Sequence, residues 1–271
     1  MTAADERMNA KRRLDVLLCE RGLFETRSRA AAAVLAGEVR VGAGGSRTAK
    51  PGPRVNADVE LAVDDAPRFV SRGGIKLANA LTDSGLDVSG RWCLDVGAST
   101  GGFTDCLLAR GAGHVVALDV AYGELSWRLR GDPRVTVIER TNARYLRRGQ
   151  LPYAPELIVA DVSFISLRTV LPAVLACAAE RFDALALVRP QFEVGRDRVG
   201  RGGVVRDAAL RRAALLDVAA AARALGASVR GVHPSRLPGP KGNKETFIAL
   251  AEGARGSVGD LEARAMEADP G

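Results

Sequence analysis

The stretch Leu94-Asp95-Val96-Gly97-Ala98-Ser99-Thr100-Gly101-Gly102-Phe103 closes an apolar run and opens a helical one. Glycines at a strand-to-helix turn let the backbone approach a ligand, and the helix behind offers its unpaired N–H groups. A carboxylate, Asp119, ends the next apolar run, Val115–Val120, where it suits hydrogen bonding to a ribose diol. The spacing Gly97…Gly101-Gly102 departs from the G-x-G-x-x-G of dinucleotide binders. Together with the leading acid Asp95, it favours S-adenosylmethionine over NAD. Asp95, Gly97, Ser99, Gly101, Gly102, Phe103 and Asp119 are therefore candidate donor-binding residues. The third strand end, Glu139–Ala143, adds Asn142 as a reader of the adenine ring, and the fourth adds Asp161, followed by Val162-Ser163-Phe164. A turn residue and a helix cap are the plainer readings of Asn142 and Asp161.

Outward from this loop, apolar runs alternate with helical ones. Leu94–Val96, Val115–Val120, Val135–Ile138, Leu157–Ala160, Ala184–Val188, Ser228–Val232 and Thr246–Leu250 read as strands. Ile75–Asp83, Thr104–Arg110, Leu167–Ala179 and Ala208–Leu225 read as helices. Strands buried on both faces and joined by helices predict an α/β domain with a doubly wound, mostly parallel, seven-stranded Rossmann-like sheet. The last strand follows a Pro/Gly loop and reads as an antiparallel edge insertion. Ahead of this domain, two short helices (Leu14–Arg21, and from Thr26 or Ser28 to Gly37) and two β runs (Val39–Val41, Val59–Val63) predict a small α+β module. The expected division is residues 1–66 for the module, 67–70 for a linker, 71–255 for the larger domain and 256–271 for a flexible tail.

The 271 residues are 47% hydrophobic and 26% charged, close to the globular average, which excludes a wholly disordered chain. No apolar stretch approaches a membrane helix, and the charged opening MTAADERMNAKRR lacks a signal-peptide core, so a soluble, cytoplasmic protein is expected. Cys19, Cys93, Cys106 and Cys177 lack zinc-ligand spacing, as do His114 and His233, so no metal is expected. The net charge of +7 is concentrated in arginine before residue 55. Guanidinium groups fork onto phosphate oxygens, which makes Arg12, Arg13, Arg27, Arg29, Arg40 and Lys50 candidate RNA contacts. A generic solvated basic surface is the alternative.

The strings R-L-D-x-L-L, R-S-R-A and G-E-V-R-V resemble the small RNA-binding module of a small-subunit ribosomal protein and of many pseudouridine synthases. V-S-R-G-G-I-K-L (Val70–Leu77), L-D-V-G-A-S-T-G-G-F-T, D-V-x-Y-G, E-R-T-N-A-R, A-D-V-S-F-I-S-L, P-Q-F-E-V-G and P-G-P-x-G-N-x-E are spread along nearly all of the remaining chain. They resemble the TlyA-type ribose 2′-O-methyltransferases, long labelled haemolysins, within the FtsJ/RrmJ-like group. The resemblance implies methylation of ribosomal RNA or ribosomal subunits with S-adenosylmethionine as donor. It also implies a Lys-Asp-Lys-Glu tetrad, which maps to Lys76, Asp161, position 189 and Glu245. Position 189 is arginine, and arginine cannot act as a base. A relative that binds RNA but transfers weakly, not at all, or to a redirected substrate is therefore the second reading. Lys244 and Glu245 point to opposite faces of a strand, so only one can enter a site, and the resemblance favours Glu245.

Overall fold

The computed structural model describes residues 11–24, 26–36, 39–42, 46–47, 52–63, 69–239 and 241–270. Two compact units divide the chain, Met1–Arg68 and Phe69–Gly271.

In the first unit β1 (Lys11–Arg13) leads into α1 (Leu14–Glu20) and α2 (Arg27–Ala36), followed by β2 (Val39–Val41), β3 (Ser46–Arg47), β4 (Arg54–Asn56) and β5 (Leu61–Val63). Helical spacing puts Leu14 and Leu18 of α1 against Ala30, Ala33 and Val34 of α2, and Val39 completes this small core. The Thr26 hydroxyl accepts the Arg29 N–H at 3.3 Å, which makes Thr26 the cap at the start of α2. β1 pairs antiparallel with β4, and β2 lies between β3 and β5. Val59 opens no strand, because its N–H turns back to the Asn56 carbonyl. The helix stop expected at Gly37, the turn holding Lys50 and the linker acids Asp64 and Asp65 lie outside the described residues.

The second unit runs α3 (Arg72–Ser84), β6 (Trp92–Val96), α4 (Gly102–Ala109), β7 (His114–Leu118), α5 (Trp127–Arg130), β8 (Val135–Ile138), β9 (Leu157–Ala160), α6 (Leu167–Leu175), β10 (Asp183–Val188), α7 (Pro190–Glu193), α8 (Ala208–Ala224), β11 (Ala227–Pro234), β12 (Thr246–Glu252) and α9 (Leu261–Ala268). Its seven-stranded sheet has the order β11-β12-β10-β9-β6-β7-β8. The five strands from β6 to β10 are parallel, and their apolar runs are buried by helices on both faces. The chain leaves β6 toward β7 and β8, then returns to lay β9 on the other side of β6. This reversal opens a crevice at the strand ends, where ligands bind in such sheets.

Two expectations are corrected here. β12 is antiparallel, but it is no edge strand: it pairs with β10 on one side and β11 on the other, leaving β11 at the edge. The sequence shows β12 to be apolar and preceded by a loop, and neither property fixes its neighbours. The stretch expected as a flexible tail, 256–271, instead holds an ordered helix among its described residues. Asp260 caps α9, Leu261 and Ala265 are buried in the core beside α8 and β11, and Asp269 is buried. A single helical stripe, i and i+4, suffices to seat this short amphipathic helix.

Candidate functional site: a donor cavity and a charged tetrad

Gly97 follows β6 in a left-handed conformation (φ 83°), and a Cβ there would lie 2.3 Å from the Asp161 carbonyl oxygen. Only glycine lets the loop press this closely onto the end of β9. Ser99, also left-handed, donates its N–H to Asp119 Oδ2 at 2.7 Å, and Ala121 N–H donates to Oδ1 at 2.8 Å. Asp119 thereby ties two strand-end loops together, and each oxygen keeps a further lone pair for a ligand. Gly97, Ser99 and Asp119 line a cavity of about 630 Å³ with Asn142, Val162 and Phe164. Such a volume suits a nucleoside-sized ligand, and an acid beside an apolar wall suits a ribose joined to an adenine. Asn142 also accepts the Arg144 N–H at 3.0 Å and caps the turn Ala143–Tyr145.

Of the remaining glycine-loop residues, Gly102 and Phe103 line an adjoining second cavity, and Gly101 lines neither. Gly101 faces Leu125 and Leu129, away from the ligand space. Gly102 brings α4 against α3, since a Cβ there would meet the Ser71 hydroxyl at 2.1 Å. Phe103 packs on Phe247 with ring centroids 5.8 Å apart.

Asp95 is fully buried and lines neither this cavity nor the one beside it. Its Oδ2 accepts the Thr104 hydroxyl at 2.7 Å, while Oδ1 has no partner among the described residues. Burial pushes the carboxyl up to about 7, against the Thr104 hydrogen bonds and with help from Asp161 and Asp119. The folded protein thus holds this proton where the unfolded chain has released it. Stability from this group is full below about pH 4 and is lost as pH rises toward 7, on the order of 2–4 kcal/mol in all. Urea unfolding at pH 5 and pH 8 is expected to show that loss, and Asp95→Asn should remove it. Parallel pH dependences in the two proteins would contradict the assignment.

A second cavity of about 380 Å³ adjoins the first, and Gly97, Ser99 and Asp161 line both. Lys76 reaches it from α3 and Arg189 from the end of β10. The Lys76 ammonium donates to Glu245 Oε2, and Arg189 Nε donates to Glu245 Oε1 at 3.2 Å. Arg189 Nη1 donates to Asp161 Oδ1 at 3.1 Å and to the Ser163 hydroxyl. Cation and carboxylate alternate along the row Lys76–Glu245–Arg189–Asp161. Glu245 is 3% exposed and lies beneath the cavity, where it holds the two cations. Burial pushes the Asp161 carboxyl above its ordinary range; Arg189 opposes this, Glu245 adds to it and Lys76 opposes it. The tetrad can orient a hydroxyl, stabilise oxyanion charge through its cations, and receive a proton on Asp161.

Three aromatic features went unread in the sequence. Phe164 is 92% exposed and left-handed (φ 64°), a strained position for a bulky residue. Its ring lies 5.4 Å from that of Phe192, and the Arg189 guanidinium sits 5.0 Å from the Phe192 centroid. Arg140 covers the exposed Tyr122 ring at 4.3 Å. The available signal was an aromatic residue three positions beyond a strand-end acid.

In the first unit Lys11, Arg12 and Arg13 of β1 are exposed, as are Arg27, Arg29 and Arg40. Arg13 donates to Asp15 at 3.0 and 2.9 Å and Arg27 donates to it at 3.3 Å. The Arg13 hydrogen bonds pull buried Asp15 down to about 2. Asp15 thus fixes two guanidinium groups on the surface that carries β1.

Among the described residues, no group of three or more His, Cys, Asp or Glu is arranged to hold a metal ion. Likewise, no helix is long and apolar enough to cross a membrane.

A doubly wound sheet whose switch point joins a nucleoside-sized cavity to a Lys/Asp/Arg/Glu row defines a methyltransferase domain. The chain belongs to the FtsJ-like methyltransferase family, whose model matches residues 69–252, and an S4 domain matches residues 12–56. It is 51% identical over 245 residues, 90% of this chain and 91% of the relative, to the 16S/23S rRNA (cytidine-2′-O)-methyltransferase TlyA of Mycobacterium tuberculosis. It is 39% identical over 192 residues to Hemolysin A of Brachyspira hyodysenteriae, covering 70% of this chain and 79% of that one. A solved structure described as a hemolysin from Streptococcus thermophilus superimposes with a TM-score of 0.72 at 39% identity, covering 96% of this chain and 97% of that one.

Proposed function

We propose that the chain transfers a methyl group from S-adenosylmethionine to a ribose 2′-hydroxyl of ribosomal RNA. The observation that carries this reading is Asp161, the tetrad member that lines both cavities and so stands where donor and acceptor meet. When bound, S-adenosylmethionine supplies an electrophilic methyl group on a sulfonium. Asp119 holds the donor ribose, Asn142 and the apolar wall receive its adenine, and the Gly97–Ser99 loop leaves room for the chain beyond. Lys76 and Arg189 orient the acceptor hydroxyl and stabilise charge as it forms on oxygen. Arginine does not serve as a proton acceptor, so the hydroxyl proton passes to Asp161. With reacting groups aligned and the electrophile already activated, orientation supplies much of the rate.

The exposed arginines of β1 and α2 take RNA phosphates, and Phe164 offers the target base a face on which to stack. Stacking of this kind contributes about 1–3 kcal/mol. Phe164→Ala is therefore expected to lower kcat/KM for RNA by about 10-fold. Steady-state kinetics with varied RNA would show this, and an unchanged kcat/KM would remove Phe164 from the acceptor site. Ribosomal RNA as substrate implies that the protein works in the cytoplasm, on subunits or assembled particles.

The reading is tested by mapping 2′-O-methyl marks on ribosomal RNA from cells with and without the gene. At least one mark is expected to disappear with the gene. Identical maps would instead support the reading of an RNA-binding relative without transfer.

A further inference from the structure

We propose that Asp269, two residues from the C-terminal end, is a positioning residue that aims Glu245 into the tetrad. The inference rests on the tetrad reading above, but it concerns a segment that no motif marks.

Asp269 is 7% exposed, and α9 delivers it to α8. Arg211 of α8, itself buried, forks onto the carboxylate through Nε and through Nη2 at 2.8 Å, and Arg212 Nη1 donates to the Asp269 carbonyl at 2.9 Å. A bidentate pair between buried groups fixes direction as well as distance. From this anchor two routes reach the residues just before Glu245.

The first route runs through Arg211. Its Nη1 donates to the carbonyls of Val205 and Arg206 at 3.2 and 2.6 Å. Val205 N–H donates to Asn243 Oδ1 at 2.9 Å, and the buried Asn243 amide donates to the Gly203 carbonyl at 2.8 Å. Gly239 N–H closes the loop on the Asn243 carbonyl at 2.8 Å. The loop also lies against the Glu245 carboxylate, since a Cβ on Gly239 would lie 2.4 Å from Glu245 Oε1.

The second route is direct. Lys244 Nζ lies 3.7 Å from Asp269 Oδ1. Lys244 and Glu245 are the two residues just before β12, not strand residues as the sequence suggested, and their side chains diverge. Lys244 reaches toward Asp269 while Glu245 reaches Lys76 and Arg189, so holding Lys244 restrains the peptide that presents Glu245. Asp269 thus sets the rotation of the peptide that presents Glu245. Without it the carboxylate remains in place on average, but the two cations lose a fixed partner.

The test uses the full chain, labelled S-adenosylmethionine and ribosomal subunits that lack the modification. Asp269→Asn breaks the anchor, and Lys244→Gln breaks the direct route at an exposed side chain with little risk to folding. Lys244→Arg keeps the charge, and Arg264→Gln on the outer face of α9 is the control. Asp269→Asn is expected to lower kcat by about 10- to 100-fold and Lys244→Gln by about 3-fold, with KM for the donor within about 2-fold of wild type. Lys244→Arg should restore kcat, and amide exchange of residues 241–246 should rise in Asp269→Asn. Should Asp269→Asn fail to fold, the Lys244 series and its arginine rescue decide the matter. Wild-type kcat in Lys244→Gln, or in correctly folded Asp269→Asn, would overturn the proposal. If the wild-type chain methylates no ribosomal RNA, the functional reading fails, and the exchange measurement alone judges the positioning role.

Discussion

Asp161→Asn is expected to lower the rate of methyl transfer by about 100- to 1,000-fold, within the range that a positioned general base contributes. Asparagine keeps an oxygen for the Arg189 hydrogen bond, so the tetrad geometry persists while the proton acceptor is lost. Donor affinity is expected to stay within about 3-fold, because the donor ribose is held by Asp119 and not by Asp161. The wild-type pH profile carries a second signature. Asp161 must be ionised to accept a proton, so the rate falls as pH drops through its pKa. Burial has raised that pKa, and the acid limb should therefore appear above the ordinary carboxylate range. Single-turnover rates across pH check both points. Near-wild-type transfer by Asp161→Asn would move proton acceptance to Lys76 or to water.

Arg189→Met is the second large effect. The guanidinium donates to Glu245, Asp161 and Ser163, and its removal leaves the fully buried Glu245 side chain with Lys76 and strips Asp161 of its cation. Breaking one partner out of a buried ionic set costs about 3–5 kcal/mol, so thermal or urea unfolding should show a large loss. Transfer by the folded fraction is expected to fall by about 100-fold, as when a preorganised donor is removed from an oxyanion site. Arg189→Lys keeps the charge but cannot fork onto Glu245 and Asp161 in one plane. It should fold and retain transfer within about 10-fold of wild type. If Arg189→Met folded and transferred at the wild-type rate, position 189 would be a structural ion pair only.

These residues also mark what the chain reveals unaided. The run from Leu94 to Phe103 and the acids Asp119 and Asp161 were legible because strand ends, glycines and carboxylates recur in a fixed order along a doubly wound sheet. Gly97 keeps its place for a reason the sequence could not show, the approach of the Asp161 carbonyl. Asp95 had the right position in the string, but its side chain is sealed under the loop, where depth and not spacing decides contact. β12 was recognisable as a strand, yet its insertion between β10 and β11 depends on long-range pairing that local pattern does not encode. The C-terminal segment looked polar and short, and its burial rests on two apolar residues and one arginine pair. Phe164 was overlooked because an exposed aromatic at left-handed φ leaves no mark in hydrophobic periodicity.

The central claim, that this tetrad methylates a ribose hydroxyl although arginine stands at position 189, has a direct test. Purified wild-type chain is incubated with methyl-labelled S-adenosylmethionine and ribosomal subunits from cells lacking the gene, and the RNA is digested to nucleosides. Label is expected in a 2′-O-methyl nucleoside, accumulating about 100- to 1,000-fold more slowly when Asp161→Asn replaces the wild type. Label on a base, or no label in either subunit's RNA, would contradict the claim.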